Sequence, residues 1–100
     1  MNKDFPELQQ FLAGYFHQDW VDEYKNADEV IASFISESDR ETITNVKQEL
    51  NKLMLAEQSE QEIQDFLFYG IGCNYYYPHE WKNGMLWLQH VYLTLSEAKR

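Results

Sequence analysis

The densest grouping of chemically capable side chains is the run His17-Gln18-Asp19-Trp20. Residues two apart on a helix do not share a face, so His17 and Asp19 are not a ready acid/base pair. His17 reads as a hydrogen-bonded packing residue at a helix corner, Asp19 as a cap for the following turn and Trp20 as a core anchor. The other histidines, His79 and His90, complete neither HExxH nor metal-finger spacing, and the chain has no CxxC. Cys73 is the single cysteine and has no basic neighbour to lower its pKa, so it reads as a buried or idle thiol rather than a nucleophile. Gly70 to Cys73, GIGC, lacks the Lys and Ser/Thr of a phosphate loop. These residue types and spacings argue against an enzyme and imply no metal and no cofactor.

Binding chemistry is better represented. Tyr75, Tyr76 and Tyr77 are followed by Pro78, His79, Glu80 and Trp81 in a stretch with no regular period, and aromatic rings with polar tips are what protein interfaces favour. If two of the three tyrosines are buried, the third must point outward. Glu62 and Asp65 precede this stretch and Glu80 lies within it, while Asp22 and Glu23 add carboxylates near the N-terminus. Against seventeen acidic residues stand eight basic ones, for a formal net charge of −9. Such a field repels nucleic-acid phosphates and anionic membranes and steers basic partners in. Distribution sharpens the point: Asp4 to Tyr24 contains five acids and no Lys or Arg, and so does Leu53 to Trp81.

Those side chains have to be positioned by helices. One hundred residues suffice for one domain with one modest core, and 44% hydrophobic with 16% aromatic content excludes a disordered chain. Phe5, Leu8, Phe11, Leu12, Tyr15 and Phe16 recur at steps of three and four, predicting a helix over about Pro6 to Phe16 capped by Asp4, with Gly14 a weak point near its end. His17 to Tyr24 fits a short second helix or corner with Trp20, Val21 and Tyr24 inward. Asn26 caps a third, with Ala27, Val30, Ile31, Phe34 and Ile35 inside. Ser38 or Asp39 caps a long helix over about Arg40 to Glu57, with Ile43, Val46, Leu50, Leu53 and Met54 inward.

Ser59 and Glu62 have capping-box spacing and open a helix that Gly70 should end in left-handed geometry. An ordered loop follows, and then a last helix over about Gly84 to Ala98, capped by Asn83, with Met85, Leu88, Val91, Tyr92 and Leu95 inside and Lys99 and Arg100 at its negative end. No strand-like alternation, repeat or low-complexity linker interrupts this pattern, so the expected fold is an all-α, single-domain bundle of about five or six short helices. A lone cysteine, no apolar leader at MNKDFPEL and no long apolar run point to a cytoplasmic protein.

The string FPELQQF followed by GYFHQDW closely resembles the opening of a family of small immunity proteins from bacterial contact-dependent growth inhibition systems, the CdiI type. The resemblance is dense over Phe5 to Trp20 and diffuse afterwards, apart from a helical middle and a terminal segment containing Trp87 and Leu88. It implies a protein that binds and blocks the toxic C-terminal domain of a CdiA-type effector made by the same cell; separately, the free protein is expected to be a monomer or weak dimer. If the toxin is a nuclease, and an RNase above all, carboxylates would stand in for phosphates in its basic groove. The shared motif is rich in core-type positions, so partner choice is expected outside it, at Asp22, Glu23, Glu62, Asp65, Tyr75, Tyr76, Tyr77 and Glu80. Two other readings fit the composition: a small acidic helical adaptor without a toxin partner, and a nucleic-acid mimic acting on a DNA-binding protein.

Overall fold

The apolar stripes become helices where the sequence places them. A computed structural model of the chain describes residues 3–98, and among these it holds six α-helices and no strand: α1 (Pro6–Tyr15), α2 (Trp20–Glu23), α3 (Ala27–Glu37), α4 (Arg40–Leu55), α5 (Glu60–Asp65) and α6 (Gly84–Glu97). The stripes of α1, α3, α4 and α6 meet in one core. Leu8, Phe11, Leu12, Val30, Ile31, Val46, Leu50, Leu88 and Val91 are fully buried there, and Phe11 stacks on Phe34 with ring centroids 4.0 Å apart. Trp87, which the stripe of α6 did not include, is also in the core, wedged against Phe16 and Tyr75. Lys99 and Arg100 lie outside the described residues.

Three caps follow from single residues. Asn26 Oδ1 accepts from Glu29 N–H (2.9 Å), Asp39 Oδ1 from Thr42 N–H (2.8 Å) and Asn83 Oδ1 from Leu86 N–H (2.9 Å). Ser59 and Glu62 form the full capping box at the start of α5. The start of α1 differs from expectation. Phe5, not Asp4, occupies the cap position and offers no side-chain acceptor; its ring packs edge-on against Phe66 at 5.0 Å. The exposed amides are capped from another helix, since the Glu49 carboxylate of α4 accepts from Leu8 N–H (2.8 Å) and Glu7 N–H (3.3 Å). Lys52, one turn further along α4, donates to the Asp4 carbonyl (2.8 Å) and lies over the Phe5 ring.

In α2, Trp20 and Tyr24 pack on the core as expected, but Val21 is 63% exposed. A single helical turn has one inward face, and the residue after Trp20 is rotated about 100° off it. Asp19 holds the N-cap position without a side-chain cap bond; its N–H donates instead to His17 Nδ1 (3.0 Å). That bond leaves His17 Nε2 to donate to Glu23 at 3.3 Å.

The second difference lies after α5. The chain does not stop at Gly70. It widens into one π-helical turn, Phe66–Ile71, and the left-handed residue is Gly72, with φ +86°. The turn is closed by Gly72 N–H and Cys73 N–H, both donating to the Leu67 carbonyl (3.1 and 2.8 Å). Beyond it a short 3₁₀ turn, Tyr77–His79, leads into α6. Gly84 is required at that entry: a Cβ there would stand 2.6 Å from Ile63 Cγ2 and 2.9 Å from the Tyr77 hydroxyl.

Candidate partner-binding face

The stretch between the π turn and α6 is held by bonds to distant residues. Asn74 N–H and its side-chain Nδ2 both donate to the Phe16 carbonyl at the end of α1 (2.9 and 3.2 Å). Trp20 Nε1 donates to the Asn74 carbonyl (3.2 Å), which brings α2 alongside. Glu60 accepts from the Tyr77 hydroxyl (2.5 Å) and from Gly84 N–H (2.8 Å), as well as from Gln64 Nε2 (3.4 Å), so one carboxylate fixes both the loop and the start of α6.

This scaffold sorts the three tyrosines. Tyr75 is 4% exposed and Tyr77 0%, so two of the residues expected to contact a partner are part of the core. Their rings pack on Trp87 and their hydroxyls are satisfied by carboxylates, Tyr75 by Glu80 (2.5 Å) and Tyr77 by Glu60. Burial, then the bond to the carboxylate, pushes each phenol well above its ordinary value. Tyr76, between them, is 53% exposed and stacks on Phe68 (5.6 Å) and against His79 (4.7 Å).

The expected acids are all at the surface, in three groups. Asp22 and Glu23 are exposed on α2. Glu80 is exposed beside Tyr75, and a cleft of about 330 Å³ there also holds Asp28 and Trp81. Glu62 and Asp65 are exposed on α5, but Glu62 Oε1 accepts from Ser59 N–H (2.8 Å) in the capping box and Asp65 accepts from Gln61 (3.0 Å). Reversing the charge at Glu62 would therefore also break a cap, which makes Asp65 the better probe of this group.

The most exposed large side chain of this region is one the sequence analysis passed over. Tyr69, on the π turn, is 82% exposed. A signal for it existed: it stands two residues beyond the inward Leu67, which on any helix of this width points it away from the core. With Phe68, Cys73, Asn74, Tyr75 and Tyr76 it lines a shallow groove of about 300 Å³. Cys73 contributes no reactivity there, because burial pushes its thiol up to about 12. Among the described residues no cluster of His, Cys, Asp and Glu is arranged to hold a metal, and no helix is long and apolar enough to cross a membrane.

A protein-family profile described as CdiI immunity protein matches residues 4–95. The chain belongs to the CdiI immunity protein family. Among solved structures, it is similar to a chain of the crystal structure of the CdiA-CT/CdiI complex from Y. kristensenii 33638, with TM-score 0.90 and 33% sequence identity over 93% of this chain and 99% of that one. A search of curated proteins found no match. The CdiI match extends far beyond Phe5 to Trp20, through α6, so the resemblance at the N-terminus reflects a shared fold along nearly the whole chain.

Proposed function

We propose that this CdiI-family protein binds and neutralises the C-terminal toxin domain of the contact-dependent growth inhibition effector made by the same cell. The observation that carries the reading is the end-to-end likeness to a chain from a CdiA-CT/CdiI complex. A protein of this kind acts by occupancy and needs no chemistry of its own, which accords with a bonded His17 and a Cys73 thiol held protonated by burial. It meets its target in the cytoplasm, where the toxin would act.

The toxin domain presents a basic surface, and a nuclease, an RNase above all, has one where it holds its substrate. A net charge of −9 would raise the encounter rate with such a surface. Fast encounter matters because uncaptured toxin is lethal. Carboxylates in the basic groove would take the places of substrate phosphates.

Co-expression of the tagged protein with the toxin domain of the adjacent large effector gene is the test. A complex that survives purification, together with restored growth, is the expected result. A folded protein that neither co-purifies nor rescues growth would overturn the reading for that pair. If a complex forms, ribonuclease and deoxyribonuclease assays on the freed toxin decide its substrate, and no activity on either nucleic acid would overturn the nuclease assignment alone.

A further inference from the structure

Two stretches of the sequence carry five acids each and no Lys or Arg, Asp4 to Tyr24 and Leu53 to Trp81. The fold joins them. Trp20 Nε1 reaches the Asn74 carbonyl, and Asn74 reaches back to the Phe16 carbonyl, so α2 is pinned beside the loop that follows the π turn. The groove containing Tyr69 and Tyr76 lies at that junction. Asp65 stands one turn before Tyr69, and Asp22 and Glu23 are exposed on α2, the helix that Trp20 ties to Asn74 in the groove lining.

We propose that this groove is the anchor of the interface, and that its occupant is an arginine-bearing basic surface of the toxin domain. The inference rests on the immunity reading and goes further by naming where and how the toxin is held. Tyr69 and Tyr76 offer exposed ring surface on which a planar guanidinium stacks, and the exposed carboxylates of Asp22, Glu23 and Asp65 draw a basic surface toward this side of the molecule. Aromatic side chains are enriched among the anchors of tight interfaces. Leu67 and Ile71 face inward while Tyr69 stands out, and Phe68 stacks on Tyr76.

The test measures binding of the purified toxin domain to Tyr69→Ala, to Tyr69→Phe and to the Tyr69→Ala/Tyr76→Ala pair, alongside wild type. Loss of these anchors should weaken binding on the order of 30-fold or more in the double variant, mainly by faster dissociation, while Tyr69→Phe keeps most of the affinity. Asp22→Asn with Glu23→Gln should instead slow association and flatten its salt dependence. Tyr69 is 82% exposed, so Tyr69→Ala folds, and an unchanged dissociation rate in that single variant would overturn the proposal even if the double variant were unstable. A free protein that is a dimer, dissociated by Tyr69→Ala with toxin binding intact, would assign the groove to self-association and overturn it as well. Wild type failing to bind the toxin domain at all would overturn the immunity reading first, and this inference with it.

Discussion

The bundle of α1, α3, α4 and α6 and the stretch from α5 to the start of α6 are built by different kinds of contact. In the bundle, apolar stripes at helical spacing bury themselves, and α3, α4 and α6 each begin at a cap three residues from its partner amide. In the second region the decisive bonds span 17 positions from Glu60 to Tyr77, 54 from Trp20 to Asn74 and 58 from Phe16 to Asn74. The first region owes its stripes and three of its caps to local spacing, although the start of α1 is capped by Glu49 from α4. The second is held by these long-range bonds, and it carries the exposed aromatic groove.

The most damaging way to test that division is Phe11→Ala. The ring is fully buried and stacked on Phe34, so its removal should cost about 3–5 kcal/mol. That is a large share of the roughly 5–15 kcal/mol available to a small domain. Denaturant unfolding should show the loss, and hydrogen exchange should show the protected amides of every helix falling together. A local effect confined to α1 would mean that the bundle is not one cooperative unit.

The same division governs what could be read from the sequence. Stripe positions such as Val30, Val46 and Leu88, and caps such as Asn26 and Asn83, depend on spacing alone, and they are where the sequence predicts them. The cap of α1 was not legible, because Glu49 lies more than forty positions from the amides it serves and stands on α4 among polar neighbours. The π turn was not legible either, since one extra residue in a helical turn leaves no compositional mark, and so Gly70 was a better local candidate than Gly72 for the left-handed position. Three consecutive tyrosines look alike in sequence. Only the positions of Glu60, Glu80 and Trp87 decide that Tyr75 and Tyr77 turn inward and Tyr76 outward.

A smaller and more selective perturbation is Tyr77→Phe, which keeps the ring and removes its bond to Glu60. A hydrogen bond to a charged acceptor contributes about 1.5–3 kcal/mol. Because Glu60 also holds Gly84 N–H, the exchange rates of amides between Gly72 and Gly84 should rise while those of α3 and α4 hardly change. Equal acceleration everywhere would merge the two regions into one. The alkaline limb gives a second readout. Burial and the Glu60 carboxylate raise the folded pKa of Tyr77 above its ordinary 10.0. Its contribution is thus complete below pH 10 and is lost as pH rises beyond it, so Tyr77→Phe should make the alkaline decline less steep.

The smallest expected effect belongs to the locally specified region and tests it from the acid side. Asp39 caps α4, and the bonds from Thr42 hold its carboxyl below the ordinary value of 3.8. A depressed pKa contributes stability that is present above 3.8 and is lost as pH falls through the lower folded value. Asp39→Asn retains a capping oxygen and removes the titration. Stability measured from pH 7 down to pH 2 should therefore fall less steeply in the variant, with little difference between the two proteins at neutral pH. Parallel curves would show that the Asp39 carboxylate is not held by α4 in solution. Helical signal lost at the start of α4 while the Asn74 to Tyr76 stretch stays protected would show that the loop does not depend on that part of the bundle.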